Sequence, residues 1–179
     1  MHIAFTHGTK PGETDRVLAS LAEQLLAKGY RLAGIVQRNS GSAEHHKCDM
    51  DAVVLPDGPI IRISQSLGAN ARGCRLDPGG LEQAAMEVDR RLGSNHDLLI
   101  VNKFGKHEAS GGGFRPLIAR AIELDIPVIT GINGLNEEAF LTFTGGTATW
   151  VEPAPQSLMS WFEAVYADGA SPTSAALHR

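Results

Sequence analysis

The sequence predicts an α/β fold with a doubly wound, mainly parallel sheet and helices on both faces. Apolar strand-like runs alternate with amphipathic helical stretches and short connections along most of the 179 residues. Residues 97–101 and 126–130 are almost unbroken apolar runs, typical of strands that are buried on both faces of a parallel sheet. The chain also opens with a strand, a glycine-bearing loop, a helix and a second strand, which together make one βαβ unit.

The first half of the chain contains this βαβ unit, after which the regular alternation of strand and helix is interrupted. We predict strands at 2–6 and 31–36 around a helix over 14–28, whose apolar residues recur at helical spacing. Thr14 or Asp15 is expected to cap this helix, and Gly29 to end it. Residues 39–80 are polar and rich in turn formers. Two short strands around residues 56–58 predict an antiparallel hairpin inserted into the α/β order.

The second half returns to regular alternation of helix and strand. We predict a helix at 81–92, a strand at 97–101, a loop at 102–113, a helix at 114–124 and a strand at 126–130. A loop with a short helix over 131–146, an edge strand at 148–151 and a last helix from 155 follow. We therefore expect a single α/β domain over 1–167 and a disordered tail over 168–179, where the sequence turns small and polar.

Composition and charge exclude several classes of protein. The net charge of −4 gives no basic footprint for nucleic acid, so we expect no nucleic-acid partner. No run approaches the roughly 20 apolar residues of a membrane span, and the N-terminus lacks the pattern of a secretory signal. Two cysteines are too few for a disulfide scaffold. We expect a cytoplasmic protein with reduced thiols.

The loop at residues 7–15 follows the opening strand and is a natural anion cradle. A helix N-terminus offers free backbone N–H groups and a positive dipole end. A Walker A loop has the spacing G-x-x-x-x-G-K-[ST], but here the two glycines are one residue too close and Glu13 stands where the lysine belongs. Thr14 remains where a hydroxyl could hold Mg²⁺. The ligand-binding candidates in this loop are Gly8, Thr9, Lys10, Gly12 and Thr14; the alternative is an ordinary tight turn.

A second candidate loop follows the most apolar strand. In P-loop enzymes this position carries an aspartate that holds Mg²⁺, whereas here Asn102 and Lys103 occupy it. Three consecutive glycines, 111–113, could close over a ligand. The loop carries potential cations and a single acid, which is a candidate general base: Lys103, Lys106, His107 and Arg115, with Glu108 as the acid. The alternative is a solvated surface loop.

A third cluster is rich in histidine and cysteine. His45, His46, Cys48 and Cys74 are weak metal-ligand candidates because their spacing is not that of a zinc finger. The alternatives are a pair of buried structural thiols or an oxyanion pocket whose guanidinium groups come from Arg62, Arg72 and Arg75. No resident metal is therefore expected.

Several strings resemble a known bacterial family, the domain of unknown function numbered 2478. The resemblance covers about residues 2–150, and its most specific parts are the strings at 73–77 and 102–108. Members are often found beside molybdate uptake and molybdoenzyme functions, so the resemblance implies a link to molybdenum. More distantly, the layout is similar to that of THEP-type P-loop nucleoside triphosphatases. The string at 104–108 resembles their Ile-Gly-Lys-Met-Glu, but Glu13 and Asn102-Lys103 depart from their catalytic motifs.

These observations favour a small-anion or nucleotide binding protein with a degenerate P-loop, in a fold like that of the P-loop NTPases. The expected ligand is molybdate, a related oxyanion, a molybdenum-cofactor compound or a nucleotide with Mg²⁺. The binding residues expected beyond the first loop are Asn102, Lys103, Lys106, Arg72, Cys74 and Arg75. The partner could be a molybdate-uptake component or a second copy of the chain.

Two alternatives belong to other functional classes. One is a divergent triphosphatase in which Lys10 or Lys103 replaces the missing lysine and Glu108 orients water. The other is a metal- or redox-linked regulator that uses Cys48, Cys74 and the two histidines at 45 and 46.

Overall fold

The computed structural model describes residues 1–40, 49–65 and 75–169. A short 3-10 turn, Gly134–Asn136, lies among the regular elements. The strands are β1 Ile3–Thr6, β2 Leu32–Ser40, β3 Asp49–Val54, β4 Ile60–Arg62, β5 Leu98–Phe104, β6 Val128–Ile132 and β7 Thr149–Trp150. The helices are α1 Glu13–Ala27, α2 Pro78–Arg91, α3 Lys106–Ala109, α4 Arg115–Glu123, α5 Glu137–Phe143 and α6 Pro155–Gly169.

The strands form one seven-stranded sheet in the order β4-β3-β2-β5-β6-β1-β7. The pairs from β2 through β5, β6 and β1 to β7 are all parallel. Strands β3 and β4 are antiparallel, and β3 pairs with β2. This arrangement confirms the mainly parallel sheet and the inserted hairpin.

Alternate residues of the central strands supply two cores, one on each face of the sheet. On one face, Leu99 and Val101 pack with helices α2, α4 and α5. On the other face, Leu98 and Ile100 pack with α1 and α6. Because both faces are covered, most positions of the central strands are apolar, as the nearly unbroken run at 97–101 predicts.

The structure differs from the sequence prediction mainly at the carboxyl edge of the sheet. Strand β5 continues to Phe104, so Asn102 and Lys103 lie on the strand and not in a loop. Phe104 is fully buried and pairs with Ile132, which explains why the strand does not stop at the first polar residue. Part of the predicted loop also forms the short helix α3.

Two helix boundaries also differ from the predicted ones. Helix α2 starts earlier than predicted because Asp77 caps it, its side chain accepting a hydrogen bond from the Gly79 N–H at 3.0 Å. Helix α6 includes Asp168 and Gly169, at the start of the predicted tail, while residues 170–179 lie outside the described part. Among the described residues, none of the helices combines the length and the apolar character that a bilayer span needs.

Candidate functional site

A cavity of about 290 Å³ opens at the carboxyl edge of the sheet. It lies where the β1–α1 loop, the end of β5 and the segment after β6 meet, which is the place where open α/β sheets bind ligands. Its walls are His7, Gly8, Lys10, Pro11, Gly12, Thr14, Asp15, Lys103, Ile132, Asn133 and Gly134.

Helix α1 presents open N–H groups to this cavity. The helix begins after Gly12, whose φ of 69° is in the left-handed region that favours glycine. Among the residues that the structure describes, the N–H groups of Gly12, Thr14 and Asp15 have no hydrogen-bond partner, and all three residues line the cavity. The positive end of the α1 dipole therefore faces an open space.

The prediction that Thr14 or Asp15 caps α1 is wrong. The helix has no side-chain cap, because both side chains have other partners. The Thr14 hydroxyl oxygen accepts a hydrogen bond from the Gly8 N–H at 2.8 Å. Asp15 is turned toward the end of β5, where Asn102 donates to it.

Glu13 occupies the other side of the loop. Its Oε2 accepts hydrogen bonds from the Thr9 N–H at 2.8 Å and the Lys10 N–H at 3.1 Å. These bonds, from Lys10 first and then from Thr9, lower the pKa of Glu13 below its ordinary value. A Cβ atom on Gly8 would lie only 2.6 Å from the Glu13 Cβ, so the loop needs glycine at that position. The expectation of free N–H groups is therefore not met at Gly8, Thr9 and Lys10.

A buried polar network centred on Asn102 lies at the end of β5, next to the cavity residue Asp15. Asn102, only 2% exposed, donates from Nδ2 to Asp15 Oδ1 at 2.8 Å and accepts from the Gln37 N–H at 2.9 Å. Asn39 Nδ2 donates to the second oxygen of Asp15 at 2.9 Å. Asn102 thus connects the start of α1 to β2 and does not line the cavity itself.

Three basic side chains line the same cavity as the open N–H groups. Lys10 and Lys103 are exposed, and neither forms a salt bridge with a residue in the described ranges. The Nδ1 atom of His7 is buried beside the cavity and has no hydrogen-bond partner there. Sequence reasoning missed His7, Asn133 and Gly134, although His7 and Asn133 directly follow the buried strands β1 and β6 at the ligand-binding edge.

Glu108 holds the loop after β5 together and does not face the cavity. It is 2% exposed, and its two oxygens accept from the Gly105 N–H at 2.9 Å and the Phe114 N–H at 3.3 Å. Lys106, on α3, is exposed and likewise does not line the cavity. In the structure, Glu108 therefore connects the two ends of this loop through its hydrogen bonds to Gly105 and Phe114.

The same loop is fastened to α2 by a second carboxylate. Glu82 Oε1 lies 2.6 Å from His107 Nε2 and accepts from the Gly113 N–H at 2.7 Å. These two contacts, that of Gly113 before that of His107, lower the pKa of Glu82. His107 is thereby engaged away from the cavity.

A second cavity, of about 390 Å³, lies beside α5 and includes Arg115. The guanidinium carbon of Arg115 is 4.5 Å from the centre of the Phe143 ring. Its Nη1 also donates to the carbonyl oxygen of Ala109 at 3.3 Å. This cation is separate from the open N–H groups of α1.

The predicted arginine pocket is only partly described. Arg62 forms salt bridges with Asp49 at 2.7 Å and Asp51 at 2.6 Å, and Arg75 Nη2 lies 3.4 Å from Asp49. These aspartates already pair with the two guanidinium groups. Arg72 lies outside the described residues.

The cysteine and histidine candidates also fall outside the described ranges: His45, His46, Cys48 and Cys74. Within residues 1–40, 49–65 and 75–169, no cluster of three or more histidine, cysteine or acidic side chains could hold a metal ion. The metal- or redox-linked hypothesis stays a prediction, which metal analysis and a thiol count of the pure protein would test.

Comparison of the sequence with known proteins finds a family and a relative that match most of the chain. The model described as "Protein of unknown function (DUF2478)" matches residues 3–161. The Molybdenum import ATP-binding protein ModC 2 of Bradyrhizobium diazoefficiens is 38% identical over 150 residues, which are 84% of this chain. The match spans only 17% of that protein's length.

Two solved structures share the fold. A human cancer-related nucleoside triphosphatase superposes with a TM-score of 0.61 at 16% identity, over 96% of this chain and 99% of that one. THEP1 from the hyperthermophile Aquifex aeolicus gives 0.57 at 17% identity, over 92% and 96% of the two chains. At this identity the likeness establishes the fold, and it confirms the predicted architecture like that of the P-loop NTPases.

Proposed function

The chain belongs to the DUF2478 family, and we propose that it binds a small anion in the cavity beside the β1–α1 loop. The observation that carries this proposal is the set of unpartnered N–H groups on Gly12, Thr14 and Asp15, which line one cavity together with Lys103. Helix N-termini with open N–H groups bind anions well. The Nδ1 atom of His7 is buried and unpartnered, and in the tautomer protonated at Nδ1 it adds a further donor for an anion oxygen.

The same geometry supports anion binding and argues against hydrolysis of a nucleoside triphosphate. Glu13 places a negative charge where P-loop enzymes have a lysine, and Asn102 is uncharged where they have an aspartate. Glu108, the carboxylate that could orient water, already accepts two backbone hydrogen bonds outside the cavity. Loss of one donor at an oxyanion hole typically costs about 3–4 kcal/mol of transition-state stabilisation.

The ligand that we propose is molybdate or a chemically similar oxyanion. This choice is supported by the similarity to the Molybdenum import ATP-binding protein ModC 2, of which the chain spans 17%. A molybdenum-cofactor compound would present the same kind of anionic group. A component of molybdate uptake is the corresponding partner.

Calorimetric titration with molybdate, tungstate, sulfate and phosphate, and with the magnesium complexes of ATP and GTP, tests the proposal. We expect heat of binding from at least one of these anions. Lys103→Ala should weaken binding about tenfold, because one charge-assisted contact contributes about 1.5 kcal/mol. Lys28→Ala is the matched control, since Lys28 follows the far end of α1 and pairs with Glu163. Absence of heat from all six ligands would contradict the proposal.

Hydrolysis is the second candidate, since the fold is shared with nucleoside triphosphatases. Release of phosphate from the magnesium complexes of ATP and GTP distinguishes the two functions. We expect no release by the pure protein. Turnover that Lys10→Ala or Lys103→Ala abolishes would favour the enzyme.

A further inference from the structure

We infer that Glu13 determines the ligand class of this site: its carboxylate fills the part of the loop that would hold a second phosphate. The cavity therefore accepts one tetrahedral oxyanion and excludes a diphosphate or triphosphate chain. This inference rests on the proposed anion-binding function and narrows its ligand.

The hydrogen-bond donors of the loop divide into two groups. Gly8 N–H donates to the Thr14 hydroxyl oxygen, while the N–H groups of Thr9 and Lys10 donate to Glu13. Pro11 has no N–H group to offer. The first half of the loop is thus fully engaged by the protein's own side chains.

The second half of the loop keeps N–H donors that a ligand can use. It consists of Gly12, Thr14 and Asp15, whose N–H groups have no partner among the described residues. A glycine-rich loop binds a polyphosphate by surrounding successive phosphates with successive N–H groups. Here one cluster of donors beside Lys103 matches one anionic group.

Glu13 cannot leave this position without losing both packing and hydrogen bonds. Its side chain lies directly against Gly8, where a Cβ would approach the Glu13 Cβ to 2.6 Å. Hydrogen bonds from Lys10 and Thr9 lower the pKa of Glu13, so the carboxylate keeps its negative charge at neutral pH. A polyphosphate would have to displace this charge and take over its two donors.

The test compares molybdate with pyrophosphate as probes of the wild-type protein and its Glu13 variants by titration calorimetry. Wild type should bind molybdate at least about tenfold more tightly than pyrophosphate, because the latter must displace Glu13 from two charge-assisted hydrogen bonds. Glu13→Ala and Glu13→Ser should raise the affinity for pyrophosphate relative to molybdate by about tenfold or more, as the Thr9 and Lys10 donors become free. Two small replacements are used so that one misfolded variant does not decide the result.

Two controls separate filling of the loop from simple loss of charge. Glu13→Gln keeps an oxygen acceptor for the two N–H groups, so the ratio of affinities should change less than in Glu13→Ala. Glu23→Ala removes the same charge from an exposed position on α1 and should leave the ratio at the wild-type value.

The outcomes distinguish this inference from the proposed function. If wild type binds pyrophosphate as tightly as molybdate, or if the small Glu13 variants leave the ratio unchanged, the role of Glu13 is refuted while anion binding stands. If wild type binds neither probe and Glu13→Ala binds pyrophosphate, the loop is filled as inferred but the proposed function fails. If no variant binds either probe, both are refuted.

Discussion

Asn102→Asp would restore the acidic side chain that P-loop enzymes carry at this strand end, and we expect it to destabilise the protein. Asn102 is buried and donates to Asp15 Oδ1 at 2.8 Å. The replacement removes that donor and places a second carboxyl group next to Asp15. The nearby Asn39 amide can satisfy only the far oxygen of Asp15.

The expected loss at pH 7 is about 3–4 kcal/mol. The lost hydrogen bond to a charged group contributes about 1.5–3 kcal/mol, and two carboxylates about 4 Å apart repel by about 4 kcal/mol at an effective dielectric constant of 20. These terms do not simply add, because one carboxyl group can take up a proton. Binding that proton at pH 7, about three units above the ordinary pKa, costs about 4 kcal/mol and limits the total.

Denaturant unfolding at pH 7 and pH 4.5 measures this effect. The introduced carboxyl group has a raised pKa in the folded state, so the folded protein binds more protons and the free energy of unfolding falls as pH rises. The loss should therefore be largest at pH 7 and shrink toward pH 4.5. The double variant Asp15→Asn, Asn102→Asp exchanges the two groups and should recover much of the stability. A variant as stable as wild type at pH 7, or equally destabilised at both pH values, would refute this reasoning.

Two further predictions concern the stability of the fold around the site. Asp97→Asn should lower the free energy of unfolding by about 1 kcal/mol at neutral pH, because Asp97 accepts three hydrogen bonds from Arg31. Burial alone would raise the pKa of Asp97, but the contacts with Arg31 outweigh it and lower that pKa. The contribution of Asp97 to the free energy of unfolding is thus present above its ordinary pKa and is lost as pH falls through its lowered pKa. Urea unfolding between pH 2 and 7 measures this contribution. A variant whose stability varies with pH as in wild type would contradict the prediction. Gly34→Ala should cost more than about 3 kcal/mol in thermal unfolding, since Gly34 has a φ of 110° and its Cβ would overlap the Ile100 carbonyl oxygen; a melting temperature like that of wild type would contradict it.

The elements that the sequence predicts well are those whose pattern is local. Helix α1 follows from the spacing of Val17, Leu18, Leu21 and Leu25, which the structure buries on one side. The central strands follow from unbroken apolar runs that bury both faces. The parallel order then places the β1–α1 loop at the ligand-binding edge without further information.

The details of the site depend on contacts between distant residues, which no local pattern contains. Asn102 looks like the start of a loop, yet its side chain bonds to Asp15, 87 positions away, and the strand continues. Glu13 departs visibly from the Walker pattern, but only the closed loop shows that its carboxylate binds Thr9 and Lys10. Glu108 carries the chemistry of a general base, and only its burial between two N–H groups shows its positioning role.

Anomalous scattering from crystals of this protein soaked with tungstate tests anion binding at the β1–α1 loop most directly, because it locates the bound ion. Tungstate has the charge and tetrahedral shape of molybdate and scatters strongly. We expect one peak in the cavity of about 290 Å³, against the N–H groups of Gly12 and Thr14 and the Lys103 side chain. A peak only beside Arg115 in the second cavity, or none at saturating tungstate, would contradict it.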